Sequence, residues 1–360
     1  MSKKKVFVGM SGGVDSAVSA ALLQKVGYEV IGVFIKTWHP EFLVCNEEEE
    51  IHDAMRITAH LNIPFLTFDF KDVYKKEVAD YMIREYKMGR TPNPDVMCNQ
   101  EIKFGAFLKK AISLGADFIA TGHYARKEEN AFSLFLQKGV DSSKDQSYFL
   151  WTLRQEQLKK ILFPVGCLKK TEVRKLAKKF NLPIANKKDS QGICFLGEID
   201  LKEFLKHYIK EKKGKVMNTF GEEIGYHAGV FFHTLGERHG FTITKKNSND
   251  GPYYIISKDI EKNILFVSKN KDKDFLQKSA DIFLLSIENA NWISKVPEPN
   301  KIYTAQIRYH GKFLPCKIRT KSPERGQKAE IIFKKPVLVA SGQSCVIYDK
   351  SICLGGGIVI

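Results

Sequence analysis

The sequence predicts an α/β protein whose first half contains a parallel sheet with helices on both faces and whose chain after residue 214 is rich in short strands. In the first half, short apolar runs alternate with amphipathic stretches, and a glycine-rich turn joins the first strand to the first helix. The second half has short strand-like runs between glycine turns. Parallel α/β sheets bind ligands at the carboxyl ends of their strands, so we expect the functional site there.

Strands and helices are expected in alternation along residues 1–121. The predicted strands cover residues 6–8, 29–36, 65–69 and 117–121, and the predicted helices cover residues 17–24, 51–61, 72–88 and 101–113. Two prolines in residues 90–100 predict a rigid, non-helical loop. Residues 155–213 are expected to be helical and basic. Later strands and turns are predicted over residues 221–240, 253–256, 264–267, 282–285, 303–309, 314–319 and 330–333.

The charge distribution predicts a polyanionic partner. The 360 residues carry a net charge of +16, and their length suggests two or three domains. Residues 151–220 contain 17 Lys and Arg against 7 Asp and Glu, and residues 301–350 contain 11 against 3. Scattered lysines would indicate only a soluble surface, whereas two localised basic stretches favour nucleic acid.

No apolar run approaches the roughly 20 residues of a membrane helix. Seven cysteines without a Cys-x-x-Cys pair predict reduced thiols and a cytoplasmic location.

The turn after the first strand has the sequence GMSGGVDS at residues 9–16. Its glycines permit a tight turn, the hydroxyls of Ser11 and Ser16 add donors, and the following helix directs its positive end outward. These features predict a phosphate site. The turn lacks the Gly-Lys-Ser/Thr of a Walker loop and the spacing of a dinucleotide fingerprint, which argues against a kinase, GTPase or dehydrogenase. It resembles the PP-loop of enzymes that split ATP into AMP and pyrophosphate.

Two further stretches present a cysteine in a distinctive context. Cys98 ends TPNPDVMC and precedes the helix expected from residue 101, whose dipole would lower the pKa of the thiol. Cys194 lies in DSQGICF at residues 189–195. Considered separately, a buried connector cysteine at 98 and a core-strand cysteine at 194 are the ordinary alternatives.

Taken together, the motifs resemble the bacterial tRNA-specific 2-thiouridylases over nearly the whole chain. They are GMSGGVDS at 9–16, TPNPDVMCN at 91–99, IKFG at 102–105, TGHYA at 121–125, KDQSYFL at 144–150, DSQGICF at 189–195, SGQ at 341–343 and LGGG at 354–357. The resemblance implies a PP-loop (adenine nucleotide α-hydrolase-like) domain over residues 1–198, a small central domain over 199–270 and a tRNA-contacting C-terminal β-barrel over 271–360.

The resemblance also implies a reaction: ATP-dependent replacement of the C2 oxygen of the wobble uridine, U34, by sulfur, with AMP and pyrophosphate as products. The expected partners are tRNAs for Lys, Glu and Gln and a sulfur-donor protein, either a cysteine desulfurase or a sulfur carrier. Mg²⁺ should accompany ATP, with Asp15 as the nearest candidate ligand. Cys194 would receive the persulfide sulfur, Cys98 would act on it by forming a Cys98–Cys194 disulfide or by releasing sulfide, and Asp95 would handle a proton.

The remaining implied contacts fall into a nucleotide group and a tRNA group. ATP would contact Gly9, Met10, Ser11, Gly12, Gly13, Val14, Asp15, Ser16, Ile35 and Gly122. The target uridine would face Asn93, Pro94 and Asp95, and further tRNA contacts would come from His123, Lys144, Asp145, Gln146, Arg308, Tyr309 and Gln343. A packed strand-end histidine and a surface cation are the ordinary alternatives for His123 and Arg308.

Some positions depart from the family pattern, and two other functional classes remain open. Ile35 stands where Met is usual, Thr37 where Asn is usual and Glu237 where Gln is common, while residues 39–46 are poorly matched. One alternative is another PP-loop adenylating enzyme, such as a tRNA cytidine thiolase or an amidotransferase-type synthetase. The other is a non-catalytic RNA-binding protein. The cysteines are too dispersed for a cluster-dependent thiolase, and the intact PP-loop argues against a protein that only binds RNA.

Overall fold

A computed structural model describes residues 3–43, 46–188, 200–245, 251–270, 284–320 and 326–360. The strands of this part of the chain are β1 Lys5–Gly9, β2 Glu29–Lys36, β3 Phe65–Asp69, β4 Phe118–Ala120, β5 Ala125–Glu129, β6 Leu134–Lys138, β7 Ile161–Leu162, β8 Gly214–Met217, β9 Glu223–His227, β10 Phe241–Ile243, β11 Tyr254–Asp259, β12 Ile264–Ser268, β13 Leu284–Trp292, β14 Tyr303–Gln306, β15 Leu314–Thr320, β16 Ala329–Phe333, β17 Ser344–Asp349 and β18 Ile352–Val359.

The helices of the same ranges are mostly short. The α-helices are α1 Val14–Lys25, α2 Glu47–His60, α3 Lys71–Tyr74, α4 Asp80–Lys87, α5 Pro94–Met97, α6 Phe107–Ser113, α7 Gln155–Lys160, α8 Lys170–Lys179 and α9 Leu201–Lys206. π-helical turns at Lys75–Ala79 and Cys98–Ala106 join α3 to α4 and α5 to α6, and 3₁₀ turns lie at Ser147–Leu150 and Val230–Phe232. No helix of the described ranges is long and apolar enough to cross a membrane.

The N-terminal part is a parallel sheet between two layers of helices, as the sequence predicts. The strand order is β3-β2-β1-β4-β7, and every neighbouring pair is parallel. Val6, Phe7 and Val8 of β1 are buried, and the two faces of the strand contribute to different apolar clusters. Such a strand is buried on both sides, which explains its continuous apolar sequence. The strand order reverses between β1 and β4, and this is where doubly wound sheets open a ligand crevice.

The non-helical loop predicted over residues 90–100 is wrong from residue 94 onward. Pro94 is the first residue of α5, and Asn93 caps the helix by accepting a hydrogen bond from the Val96 N–H at 3.3 Å. Proline suits this first position because the N–H that it lacks would have no helical partner there. Cys98 therefore lies inside a continuous helical stretch and not ahead of a helix start near residue 101. The dipole argument for its thiol loses its geometric basis, since the dipole acts mainly over the first turn.

The C-terminal part is a closed six-stranded barrel, in the order β13-β16-β15-β14-β17-β18, that the β13–β18 pairing completes. The β5–β6 hairpin of the N-terminal half joins the same sheet, because Leu136 of β6 pairs with Cys353 of β18. Phe7 of β1 and Val346 and Tyr348 of β17 share one apolar core. The barrel is thus packed directly onto the parallel sheet. The sequence patterns do not predict this hairpin, β7, β17 or β18.

The central part forms a smaller sheet in the order β10-β9-β8-β12-β11, with one parallel pairing between β8 and β12. Its core contains Val216, Ile224, Val230, Leu265 and Val267. A separate apolar cluster holds α9 against the helices of the N-terminal part. The central part is thus tied to the N-terminal helices through α9.

Candidate active site

The PP-loop lies at the carboxyl end of β1 and is shaped by its glycines. Gly12 has φ +68°, and a Cβ there would lie 2.7 Å from the carbonyl oxygen of Glu50 in α2. The Ser16 hydroxyl donates to the Gly13 carbonyl at 3.0 Å and accepts from the Ser11 N–H at 3.3 Å. The loop thus gathers two hydroxyls at the start of α1, beside the positive end of that helix. This donor set fits a phosphate group.

Gly122 brings the end of β4 against the same loop. A Cβ at Gly122 would lie 2.8 Å from the backbone nitrogen of Ser16 and 2.9 Å from the Cβ of Asp15. On the other side of β1, the Met10 N–H donates to the Val33 carbonyl of β2 at 2.8 Å, two residues before Ile35. The carboxyl ends of β1, β2 and β4 thus form one edge, which is where the sequence predicts the functional site.

Asp15 is anchored to α8. Its carboxylate accepts two hydrogen bonds from the Lys170 ammonium, at 2.7 and 2.8 Å, and a third from the Tyr124 hydroxyl at 2.8 Å. A metal ion at this carboxylate would have to compete with the Lys170 ammonium. In the described ranges, no group of three or more His, Cys, Asp or Glu side chains is arranged to hold a metal ion.

Asp95 and Cys98 lie on the helix that begins at Pro94. Asp95 is the second helical residue, where the helix dipole favours a carboxylate. Burial raises the pKa of Asp95, and the nearby Lys103 ammonium opposes that rise. Cys98 is 5% exposed and packs in the apolar cluster that also contains Phe204 of α9. The helix thus presents a half-buried carboxyl group beside a buried thiol.

Lys103 links the Asp95 helix to the edge of the parallel sheet. Besides its effect on Asp95, its charge acts on His123, whose ring is 6% exposed. Burial lowers the pKa of His123 well below its ordinary value, and Lys103 lowers it further. The His123 Nδ1 lies 2.7 Å from the Thr121 hydroxyl, and the ring packs 5.6 Å from that of Phe104. His123 is therefore a neutral, packed side chain. Lys103 was not predicted as a site residue, although the motif IKFG contains it.

The barrel contacts the entry to the Asp95 helix. The Gln343 side-chain amide donates to the Thr91 carbonyl at 2.8 Å, and the Thr91 N–H donates to the Ser341 carbonyl at 2.8 Å. The ring of Tyr309 lies 4.4 Å from that of Phe149. Burial raises the pKa of Tyr309, and the charges of Asp145 and Asp95 raise it further. The tyrosine thus lies within electrostatic range of the Asp95 helix.

Arg308 and the 144–146 segment are also held by internal contacts. The Arg308 guanidinium donates to the Leu235 carbonyl of the central part at 2.6 Å. Asp145 accepts hydrogen bonds from the N–H groups of Gly139 and Ser147, and Gln146 accepts one from the Tyr124 N–H at 3.0 Å. Lys144 is half-buried in the same segment. The side chains of Arg308, Asp145 and Gln146 therefore help to fix the protein's own backbone.

Cys194 lies outside the described residues. The described residues before and after it contact two different parts of the molecule. Before the gap, Lys187 forms an ion pair with Asp53 of α2 at 2.6 Å, and α2 also backs the PP-loop at Gly12. After the gap, α9 packs in the apolar cluster of Cys98. One flank thus adjoins the phosphate site and the other adjoins the Asp95 helix.

Comparisons with known proteins agree over nearly the whole chain. Family models described as the tRNA methyl transferase HUP domain, the tRNA methyl transferase PRC-barrel domain and the aminomethyltransferase beta-barrel domain match residues 4–198, 202–269 and 284–359. The tRNA-specific 2-thiouridylase MnmA of Listeria monocytogenes serotype 4a (strain HCC23) is 44% identical over 360 residues, which covers 99% of this chain and 94% of the relative. MnmA of Geobacillus thermodenitrificans (strain NG80-2) is 43% identical over 359 residues, with the same coverage.

Similarity to solved structures is weaker. The U34-tRNA thiolase NcsA from Methanococcus maripaludis, with its 4Fe-4S cluster, aligns with a TM-score of 0.35 and 19% identity, covering 57% of this chain and 67% of that chain. A likeness at this level adds nothing to the sequence relationships.

Proposed function

We propose how the described residues serve the reaction of the family to which this chain belongs, the tRNA-specific 2-thiouridylases. The protein is an ATP-using tRNA sulfurtransferase. Its proposed reaction is 2-thiolation of U34 in tRNAs for Lys, Glu and Gln, in the cytoplasm, with AMP and pyrophosphate as products. One observation supports this proposal. The PP-loop edge, the Asp95 helix and the barrel segments at residues 308–309 and 341–343 lie close together.

The PP-loop edge would perform the activation step. A pyrimidine C2 carbonyl is a poor electrophile and oxide is a poor leaving group, so the oxygen must first be converted to an adenylate. The hydroxyls of Ser11 and Ser16 and the start of α1 would hold the pyrophosphate portion of ATP. Ile35 and Gly122 would border the nucleoside. Mg²⁺ would arrive with the phosphates; Asp15 is the nearest candidate ligand, but its carboxylate is bound to Lys170. We assign the ion no protein ligand.

The two cysteines would perform the sulfur transfer. A sulfur-donor protein, either a cysteine desulfurase or a sulfur carrier, would deliver a persulfide to Cys194. The terminal sulfur attacks C2 and AMP leaves; the Cys98 thiolate then attacks the Cys194 sulfur, which breaks the S–S bond to the base and forms a Cys98–Cys194 disulfide. Release of sulfide by Cys98 before the attack is the alternative route. Because Cys98 is only 5% exposed, we assign the contact with a donor protein to Cys194.

Asp95 would exchange the proton that this chemistry requires. It lies three residues before Cys98 on one helix, and its raised pKa brings the carboxyl closer to neutral pH. We assign the carboxylate form as the base. Asn93 and Pro94, which form the helix cap and first residue, would border the uridine with it.

The tRNA would be bound along the basic stretches and the barrel. Lys175, Lys178 and Lys179 are exposed on α8, and phosphate contacts of this kind position a nucleic acid without reading its sequence. Further contacts with the tRNA would come from Lys144, Asp145, Gln146, Arg308, Tyr309 and Gln343. Since His123 is neutral, its contribution would be packing or a hydrogen bond and not charge.

The assignment is tested by mass spectrometry of tRNA nucleosides after incubation with ATP and a persulfide donor. We expect 2-thiouridine with the wild type and a loss of product in both Cys98→Ser and Cys194→Ser. Cys167→Ser is the matched control, because Cys167 is an exposed cysteine of the described ranges with no assigned role. Product formation by both serine variants, or none by the wild type, would contradict the proposal.

A further inference from the structure

The 234–237 turn of the central part contacts both the barrel and the stretch that leads into the Asp95 helix. It is closed by the Glu237 N–H donating to the Thr234 carbonyl at 3.1 Å, and Ile255 of β11 bonds to it on one side. On another side, the Thr234 hydroxyl lies 3.1 Å from the Thr91 hydroxyl. The barrel reaches it through Arg308, which donates to the Leu235 carbonyl at 2.6 Å. The turn is thus a junction between the barrel and the entry to the Asp95 helix.

A carboxylate fixes this turn. The side chain of Glu237 is 13% exposed, and its Oε2 accepts a hydrogen bond from the Thr234 N–H at 3.0 Å. Its Oε1 accepts from the ammonium of Lys202 in α9, and His233 Nδ1 lies 3.5 Å from Oε2. Burial alone would raise the pKa of Glu237, but the nearby His233 ring and the hydrogen bonds from the Lys202 ammonium and the Thr234 N–H outweigh it and lower the pKa to about 2. Glu237 thus stays ionised and bonded to α9.

The same junction holds the chain just before the Asp95 helix. Lys258 donates to the carbonyls of Gly89, at 2.9 Å, and His233, at 2.8 Å. Thr91 is bound by its hydroxyl to Thr234 and by its backbone to the barrel. Thr91 lies four residues before Asp95 and seven before Cys98, so a shift of residues 89–91 would be transmitted to both through the helix start.

We infer that Glu237 is a positioning residue, whose carboxylate fixes the 234–237 turn between Lys202 and Thr91 and thereby sets the place of Asp95 and Cys98 relative to the barrel. The inference rests on the proposed function, because it assumes that these two side chains act on the uridine. It predicts a role for charge in this chain: the amide that is common at position 237 in the family would still accept the Thr234 N–H bond, but here it would leave the Lys202 ammonium without its charge partner.

The test compares Glu237→Gln with Glu203→Gln. The control also removes a carboxylate that pairs with a lysine, here Lys206, but on the exposed side of α9. For Glu237→Gln we expect kcat for tRNA thiolation to fall about tenfold, since small misplacements of reacting groups are costly. The KM for ATP should be unchanged, because the PP-loop is not touched. Site-resolved alkylation of Cys98 should become faster, and amide exchange over residues 89–99 should increase relative to residues 14–25.

A second variant keeps the test decisive if Glu237→Gln unfolds the protein. Thr234→Val removes only the hydroxyl that faces Thr91, and we expect the same pattern with a smaller loss. Alkylation and exchange need no turnover, so they remain informative even if the wild type forms no 2-thiouridine, which would count against the proposed function alone. If Glu237→Gln folds, unchanged Cys98 alkylation and unchanged exchange over residues 89–99 in that variant would overturn the inference; if it unfolds, the same result in Thr234→Val would do so.

Discussion

The PP-loop edge and the Asp95 helix are the two halves of the proposed site, and they are held in place differently. The PP-loop takes its shape from its own glycines and from neighbours in the same parallel sheet, such as Gly122 and α2. The entry to the Asp95 helix is held at Thr91 by Ser341 and Gln343 of the barrel and by Thr234 of the central part. The first half is thus built locally, whereas the second depends on the assembly of the whole chain. Substitutions in the two halves should therefore affect ATP binding and thiolation differently.

The most severe change should be at the local half. In Gly122→Ala the new methyl group would lie 2.8 Å from the Ser16 nitrogen and 2.9 Å from the Asp15 backbone carbon, so the loop must shift. Because the displaced atoms belong to the proposed phosphate site, we expect ATP affinity and thiolation to fall by about 100-fold or more.

Calorimetric titration with ATP and the nucleoside assay measure the Gly122→Ala effect. Gly251→Ala serves as the control, since a Cβ at Gly251 has no neighbour within 4 Å among the described residues. ATP binding of wild-type strength in Gly122→Ala would show that the phosphate site lies elsewhere.

A smaller but more selective loss should follow from Gly342→Ala at the other half. Gly342 has φ +90°, and its Cβ would lie 2.9 to 3.0 Å from the backbone atoms of Thr91. The barrel segment and the entry to the Asp95 helix must then separate. We expect thiolation to fall about tenfold while ATP affinity stays within a factor of about two, because the PP-loop is built without these contacts.

The control for Gly342→Ala separates the clash from backbone strain. Gly326 has φ +82°, but no neighbour within 4 Å among the described residues. Gly326→Ala therefore imposes similar strain away from the site. Equal losses of thiolation in the two variants, or a parallel loss of ATP binding in Gly342→Ala, would refute the distinction between the two halves.

The same distinction explains what the sequence could predict. Glycines, a hydroxyl pair and a strand-to-helix turn are local features, so the parallel sheet and the placement of Gly9–Ser16 beside Gly122 follow from residue patterns. The start of α5 was mispredicted because Pro94 was interpreted as a helix breaker, although Asn93 ahead of it is a capping residue. Lys103, Thr91 and the 234–237 turn acquire their roles only through contacts between residues far apart in sequence. The β5–β6 hairpin was missed for a related reason, since it is completed by β18.

The smallest expected effect concerns Lys103, whose charge acts on both Asp95 and His123. Burial raises the pKa of Asp95 and Lys103 counteracts it, so Lys103→Met should raise the pKa of Asp95 further. If the carboxylate is the active form, a higher pKa means that it protonates earlier as the pH falls. The acidic limb of the pH–rate profile should therefore move to higher pH, with a larger loss at pH 6 than at pH 8. Lys109→Met, on the exposed face of α6, should leave the limb in place. Single-turnover thiolation rates across this range measure the shift, and a limb that moves to lower pH in Lys103→Met would contradict the assignment of Asp95 as the base that faces Lys103.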